Sequence, residues 1–118
     1  VIPLSNNLSY LSFFSNVRSV YMDMKTLKIV FVDFWASWCG PCKVMAPKYK
    51  LVSETFESKE VKFTKYEAGA PDCDRKSQEY NIRGLPTFLA IYKGKVIDAM
   101  IGAGDIQEFV KKNIEECY

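Results

Sequence analysis

The sequence predicts a single α/β domain with a mixed central β-sheet and helices on both faces. Three observations carry that expectation. The chain has 118 residues, room for one ordinary core and not for two. Short apolar runs alternate with stretches whose apolar residues recur at helical spacing. The resulting order is β-α-β-α-β-α-β-β-α, in which parallel crossovers come first and a hairpin comes last.

Each element has its own signal. Val1–Asn7 carries a proline, a serine and two asparagines and reads as a flexible extension, with the domain spanning 8–118. Leu8–Phe14 is rich in Leu, Tyr and Phe and reads as a strand. Ser15 caps a helix over Asn16–Lys25, whose Val17, Val20, Tyr21 and Met24 share one face. Lys28–Phe34 is a nearly continuous run of β-formers, as expected for a strand covered on both sides, with one carboxylate, Asp33, inside it. Pro41 suits a first helical turn, where its missing N–H is not needed. Val44, Met45, Tyr49, Val52 and Phe56 mark the buried side of a helix running to about Glu57, with a kink expected at Pro47. Val61–Tyr66 reads as a strand, Asp72–Asn81 as a short polar helix, and Thr87–Tyr92 as a strand. Lys93-Gly94-Lys95 turns the chain into a return strand over Val96–Ile101. Asp105 with Glu108 has the pattern of a capping box, and Ile106, Phe109, Val110, Ile114 and Cys117 line the inner face of the last helix.

Composition narrows the chemistry. Hydrophobic residues are 48% and charged residues 25%, which excludes a disordered chain. The net charge of +2 is too balanced to call for a nucleic-acid partner, and no apolar run reaches the roughly 18 residues of a membrane span. There are no histidines, so Ser-His-Asp and Cys-His mechanisms and imidazole-bound zinc are excluded. The four cysteines, at 39, 42, 73 and 117, are too few for a disulfide scaffold. The chain starts with Val1 rather than Met, which points to a trimmed or processed form and leaves the compartment open.

The chemical signal is Trp38-Cys39-Gly40-Pro41-Cys42, lying between the apolar strand and a helix. Two cysteines separated by two residues can form and break a disulfide with little backbone movement. A helix N-terminus favours negative charge, which should lower the Cys39 thiol pKa and raise its thiolate fraction. The thiolate attacks a target disulfide to give a mixed disulfide, and Cys42 then attacks the Cys39 sulfur and releases the reduced target. A zinc half-site is the main alternative. It would need Cys73 and Cys117, neither of which sits in a second C-x-x-C. Cys117 reads as a small hydrophobe on the last helix. Cys73 lies in a polar helix, and the sequence does not decide between a buried thiol and an exposed one open to intermolecular contact.

These residues carry a family resemblance. Val32–Lys43, VDFWASWCGPCK, resembles the active-site strand and turn of the thioredoxin family. Arg83-Gly84-Leu85-Pro86-Thr87 resembles its cis-proline segment, and Gly102-Ala103 resembles the pair ahead of its last helix. The resemblance implies a thioredoxin fold and a protein-disulfide reductase. Cys39 is then the attacking thiol and Cys42 the resolving one. Asp33 is a buried carboxylate beneath them whose pKa desolvation should raise, making it the acceptor of the Cys42 proton. Lys65 is its ionic neighbour. Pro86 follows a cis bond and packs against the dithiol, leaving the Leu85 backbone to pair with an extended substrate. Trp38, Gly40, Pro41, Gly84, Leu85, Ile101, Gly102 and Ala103 form the docking surface, while Trp35 is assigned to the core. Gly40-Pro41 is the reductive form of the dipeptide, which disfavours an oxidase or isomerase. The resemblance implies a monomer without cofactor, disulfide-containing protein substrates, and a reductase or other dithiol donor. A docking subunit of a larger assembly, with secondary redox activity, is the competing reading. It is motivated by the unmatched N-terminus and by Tyr66-Glu67-Ala68-Gly69-Ala70-Pro71, where the family usually alternates Val and Asp.

Overall fold

Residues 28–117 are described by the computed structural model. The strand read over Leu8–Phe14, the helix over Asn16–Lys25 and the extension Val1–Asn7 lie outside them. Within the described residues the run of β-formers becomes β1, Ile29–Trp35, and the other strands are β2, Val61–Glu67, β3, Thr87–Tyr92, and β4, Lys95–Ile101. Three helices complete the order: α1, Gly40–Phe56, between β1 and β2; α2, Pro71–Glu79, between β2 and β3; and α3, Ile106–Cys117, after β4. The sheet order is β2-β1-β3-β4. β1 runs parallel to β2 and antiparallel to β3, and β4 is antiparallel to β3. The inner position of β1 explains why its sequence is apolar apart from Asp33, because both of its faces are covered.

Side chains alternate across that strand. Ile29 and Phe31 pack with Met45, Tyr49 and Val52 of α1 and with Ile106, Phe109 and Val110 of α3. Val32 and Phe34 pack on the other side with Cys73 of α2 and Leu89 of β3. The expected mixed sheet with helices on both faces is therefore present, and Asp33 falls on the α1 side.

Local chemistry accounts for the element ends. Lys93 and Gly94 both adopt positive φ, 56° and 74°, giving a two-residue turn whose twist matches the hairpin it closes. Asp105 Oδ1 accepts the Glu108 N–H at 3.0 Å, the N-cap half of the expected capping box. α1 continues through Pro47, which removes the backbone donor for the Lys43 carbonyl. Its buried residues, Cys42, Met45, Tyr49 and Val52, share one face.

Two inward positions were not legible in the sequence. Cys73 is 2% exposed, because it is the one residue of α2 turned fully into the core. Asn113 lies on the inner face of α3 among apolar neighbours. Its Nδ2 donates to Asp98 Oδ2 at 3.0 Å and to the Phe109 carbonyl at 2.8 Å, which ties α3 to β4.

Candidate active site

The turn after β1 delivers its two sulfurs to a helix end. Cys39 is the N-cap of α1 in an extended conformation, and Cys42 lies in the first helical turn beside Pro41. The pair forms a disulfide with Cα atoms 5.2 Å apart. The Cys42 N–H also donates to Cys39 Sγ at 3.2 Å, so one of the helix's otherwise unpaired N–H groups points at the outer sulfur. Negative charge on that sulfur is favoured by the same donor and by the helix dipole. Ala36, Cys39 and Cys42 pack with Trp35, Ala68 and Leu85.

Asp33 is 3% exposed, and its Oδ1 has no hydrogen-bond partner among the described residues. Burial pushes its pKa up to about 6 from 3.8, against the opposing pull of the Lys65 charge. A carboxyl of this kind exchanges its proton near neutral pH, as a general acid–base group must. Lys65 is the Cα partner of Asp33 across the β1–β2 ladder, so the unusual segment Tyr66–Pro71 leaves the register undisturbed. The ammonium makes no contact ion pair with Asp33 among the described residues. It lies 4.8 Å from the centre of the half-buried Trp35 ring and acts on Asp33 at longer range.

The third component comes from the far strands. The Leu85–Pro86 bond is cis and Pro86 is fully buried. The Thr87 hydroxyl donates to the Gly84 carbonyl at 2.6 Å, and the Gly102 N–H donates to the Pro86 carbonyl at 2.8 Å. The positive φ of Gly102, 85°, belongs to this turn at the end of β4. Ile101 is the Cα partner of Thr87, which brings it to the same end of the sheet. Trp38 is 74% exposed and Ile101 69%, and Gly40, Pro41 and Ala103 are exposed beside them. A cavity of about 370 Å³ opens between Trp38, Ala68, Ser77, Arg83 and Leu85. Gly84 and Leu85 are half-buried in its lining, and Gly102 is half-buried at the end of β4.

The sequence-derived residues thus converge, with Cys39, Cys42 and Asp33 from β1–α1, Lys65 from β2, and Pro86 with its loop before β3. Sequence reasoning missed the Thr87 hydroxyl, although a threonine directly after the loop is an obvious donor. It also took Tyr49 only as core, when a buried phenol always needs a hydrogen-bond partner. Cys117 stands apart on α3, where burial pushes its thiol pKa up.

Comparison with known proteins agrees with this geometry. The family model described as Thioredoxin matches residues 12–116. A thioredoxin of Malassezia sympodialis is 40% identical over 76 residues, covering 64% of this chain and 70% of that protein. Reduced Schistosoma mansoni thioredoxin pre-protein superposes with a TM-score of 0.63 at 33% identity, covering 86% of this chain and 89% of that one. Thioredoxin f2, in a complex with ferredoxin:thioredoxin reductase, gives a TM-score of 0.60 at 36% identity, covering 76% and 77%. Since motif, sheet order and relatives all agree over most of its length, the chain belongs to the thioredoxin family, and thiol–disulfide exchange through Cys39 and Cys42 is its chemistry.

Proposed function

We propose that the reduced chain acts as a general protein-disulfide reductase. The observation that carries this reading is the Cys39–Cys42 disulfide at the N-terminus of α1, just after a strand that holds a buried, proton-exchanging Asp33. In the first step the Cys39 thiolate attacks one sulfur of the target, the target's S–S bond breaks, and a mixed disulfide forms. In the second, the Cys42 thiol gives its proton to Asp33, directly or through water. The Cys42 thiolate then attacks Cys39 Sγ. The mixed disulfide breaks, and the target leaves with both electrons while the pair becomes the disulfide.

The target docks on the apolar rim made by Trp38, Gly40, Pro41, Gly84, Leu85, Ile101, Gly102 and Ala103. Pro86 packs behind the sulfurs, and the Leu85 backbone pairs with an extended segment of the substrate. Lys65 tempers the Asp33 pKa. The partners are disulfide-bearing proteins and a reductase or dithiol donor that restores the pair. The neighbour thioredoxin f2, found in complex with a reductase, supports the second kind of partner.

Cys42→Ser tests the sequence of steps. Without the resolving thiol, targets should accumulate on Cys39 as mixed disulfides, recoverable from an extract and released by added dithiol. A varied set of trapped proteins is the expected result. A single constant partner would favour a dedicated subunit of one assembly.

A further inference from the structure

We propose that Tyr49 is a positioning residue for the reaction, clasping β2 to β1 so that the Lys65 ammonium stays within electrostatic reach of Asp33. The proposal rests on the reading of Asp33 as proton acceptor. Tyr49 is 4% exposed and sits on the sheet-facing side of α1, seven residues beyond Cys42. Its hydroxyl donates to the Thr64 carbonyl at 2.7 Å and to the Phe31 carbonyl at 3.0 Å, one acceptor from each strand. Thr64 immediately precedes Lys65. Phe31 lies two residues before Asp33 on the same face, and Asp33 and Lys65 are register partners. One phenolic proton therefore spans the ladder just below the carboxylate and its cation.

The hydroxyl has no packing reason to be there. The ring already packs against Phe63 and Phe88, with centroids 5.8 and 5.6 Å away, and a phenylalanine would fill the same space. Burying a hydroxyl costs free energy unless it is bonded, so its benefit lies in the two carbonyls it holds. Among the described residues β2 pairs only with β1, and a cavity of about 360 Å³ opens along the α1–β2 seam beside Pro47, Tyr49, Thr64 and Lys65. Burial, then the nearby Asp33 charge, push the Tyr49 pKa far above the ordinary phenol range, so the hydroxyl remains a donor at any working pH.

The consequence has a sign. Lys65 is the group that opposes the desolvation of Asp33. The other groups on this side are Cys42 in the first turn of α1, Glu57 at its C-cap, which bears on Tyr49, and apolar Phe88 from β3. Without the clasp, β2 loosens and the pull of Lys65 weakens. That change disfavours the carboxylate and moves the Asp33 titration upward.

The test is a double-mutant cycle on the reduced protein. It reads the Asp33 carboxyl directly by carbon-13 NMR, beside the acid limb of insulin turnover. Tyr49→Phe is expected to raise the Asp33 titration by a few tenths of a pH unit, and Lys65→Met by at least as much. Adding Tyr49→Phe to Lys65→Met should then move it no further, because both act through one ammonium. An unmoved titration in Tyr49→Phe, even with lower thermal stability, overturns the proposal, and so does an equal shift in the Lys65→Met background. A carboxyl titration that moves while the acid limb stays fixed supports the positioning role and instead overturns Asp33 as proton acceptor.

Discussion

Cys39→Ser should bring dithiol-driven reduction of insulin down to the rate of the dithiol alone, with the fold intact. The reason is chemical rather than structural. A serine hydroxyl at the N-cap still accepts the N–H that now points at Cys39 Sγ, so the first turn of α1 keeps its cap. It has no thiolate form, however, and cannot join a sulfur of the target, so the first bond of the exchange never forms. Far-ultraviolet circular dichroism and thermal unfolding should match the parent after both are reduced. Turnover that survives in Cys39→Ser would mean that another thiol attacks. Besides the inner Cys42, the remaining candidates are unpromising, since Cys73 is buried against α2's own Ser77 and burial raises the Cys117 pKa.

Asp33→Asn should make the protein more stable and less active at once. In the folded chain the carboxyl titrates near 6 instead of 3.8, mainly because it is desolvated. Between those two values the folded state holds a proton that the unfolded state has released, so stability falls as pH rises. The cost is absent below about pH 4 and complete above about pH 6. Its ceiling is about 3 kcal/mol, at roughly 1.4 kcal/mol per pH unit. Asparagine escapes this cost but leaves buried polar atoms, so the expected gain at pH 7–8 is about 1–3 kcal/mol, fading at pH 4. Urea unfolding at several pH values reads it directly. Over the same range release of the target should slow several-fold, because nothing takes the Cys42 proton. The deficit should narrow at high pH, where a thiol ionises unaided. Equal rates for both proteins from about pH 6 to 9 would remove Asp33 from the mechanism.

The site was legible in the sequence because its chemistry is local. Cys39 and Cys42 are separated by one helical turn, Asp33 interrupts an otherwise apolar strand, and Gly84-Leu85-Pro86-Thr87 stands directly before another. Such features can be read with few long-range contacts. The sheet was legible for a related reason, since β1 carries apolar residues on both faces and so must lie inside. What escaped notice depends on how one position meets a distant neighbour. PDCDRKSQE reads as polar throughout, yet Cys73 alone turns onto Val32, Phe34 and Leu89. Asn113 falls on the same stripe as Ile106 and Val110, but its placement there becomes sensible only with the Asp98 carboxylate across from it. Tyr49 matches the apolar pattern of α1, and its ring hides a hydroxyl whose acceptors belong to two different strands. The Asp33–Lys65 relation was right in register and different in kind, because the ammonium rests over Trp35 instead of touching the carboxylate.

The central claim is that the Cys39–Cys42 pair donates electrons to protein disulfides. Equilibrating the chain in glutathione buffers of graded potential, and counting free thiols by alkylation at each one, measures that tendency directly. The pair should remain a disulfide until the buffer is strongly reducing, with a midpoint close to the thioredoxin value of about −270 mV. A midpoint near about −120 mV, where strong oxidants lie, would contradict the account.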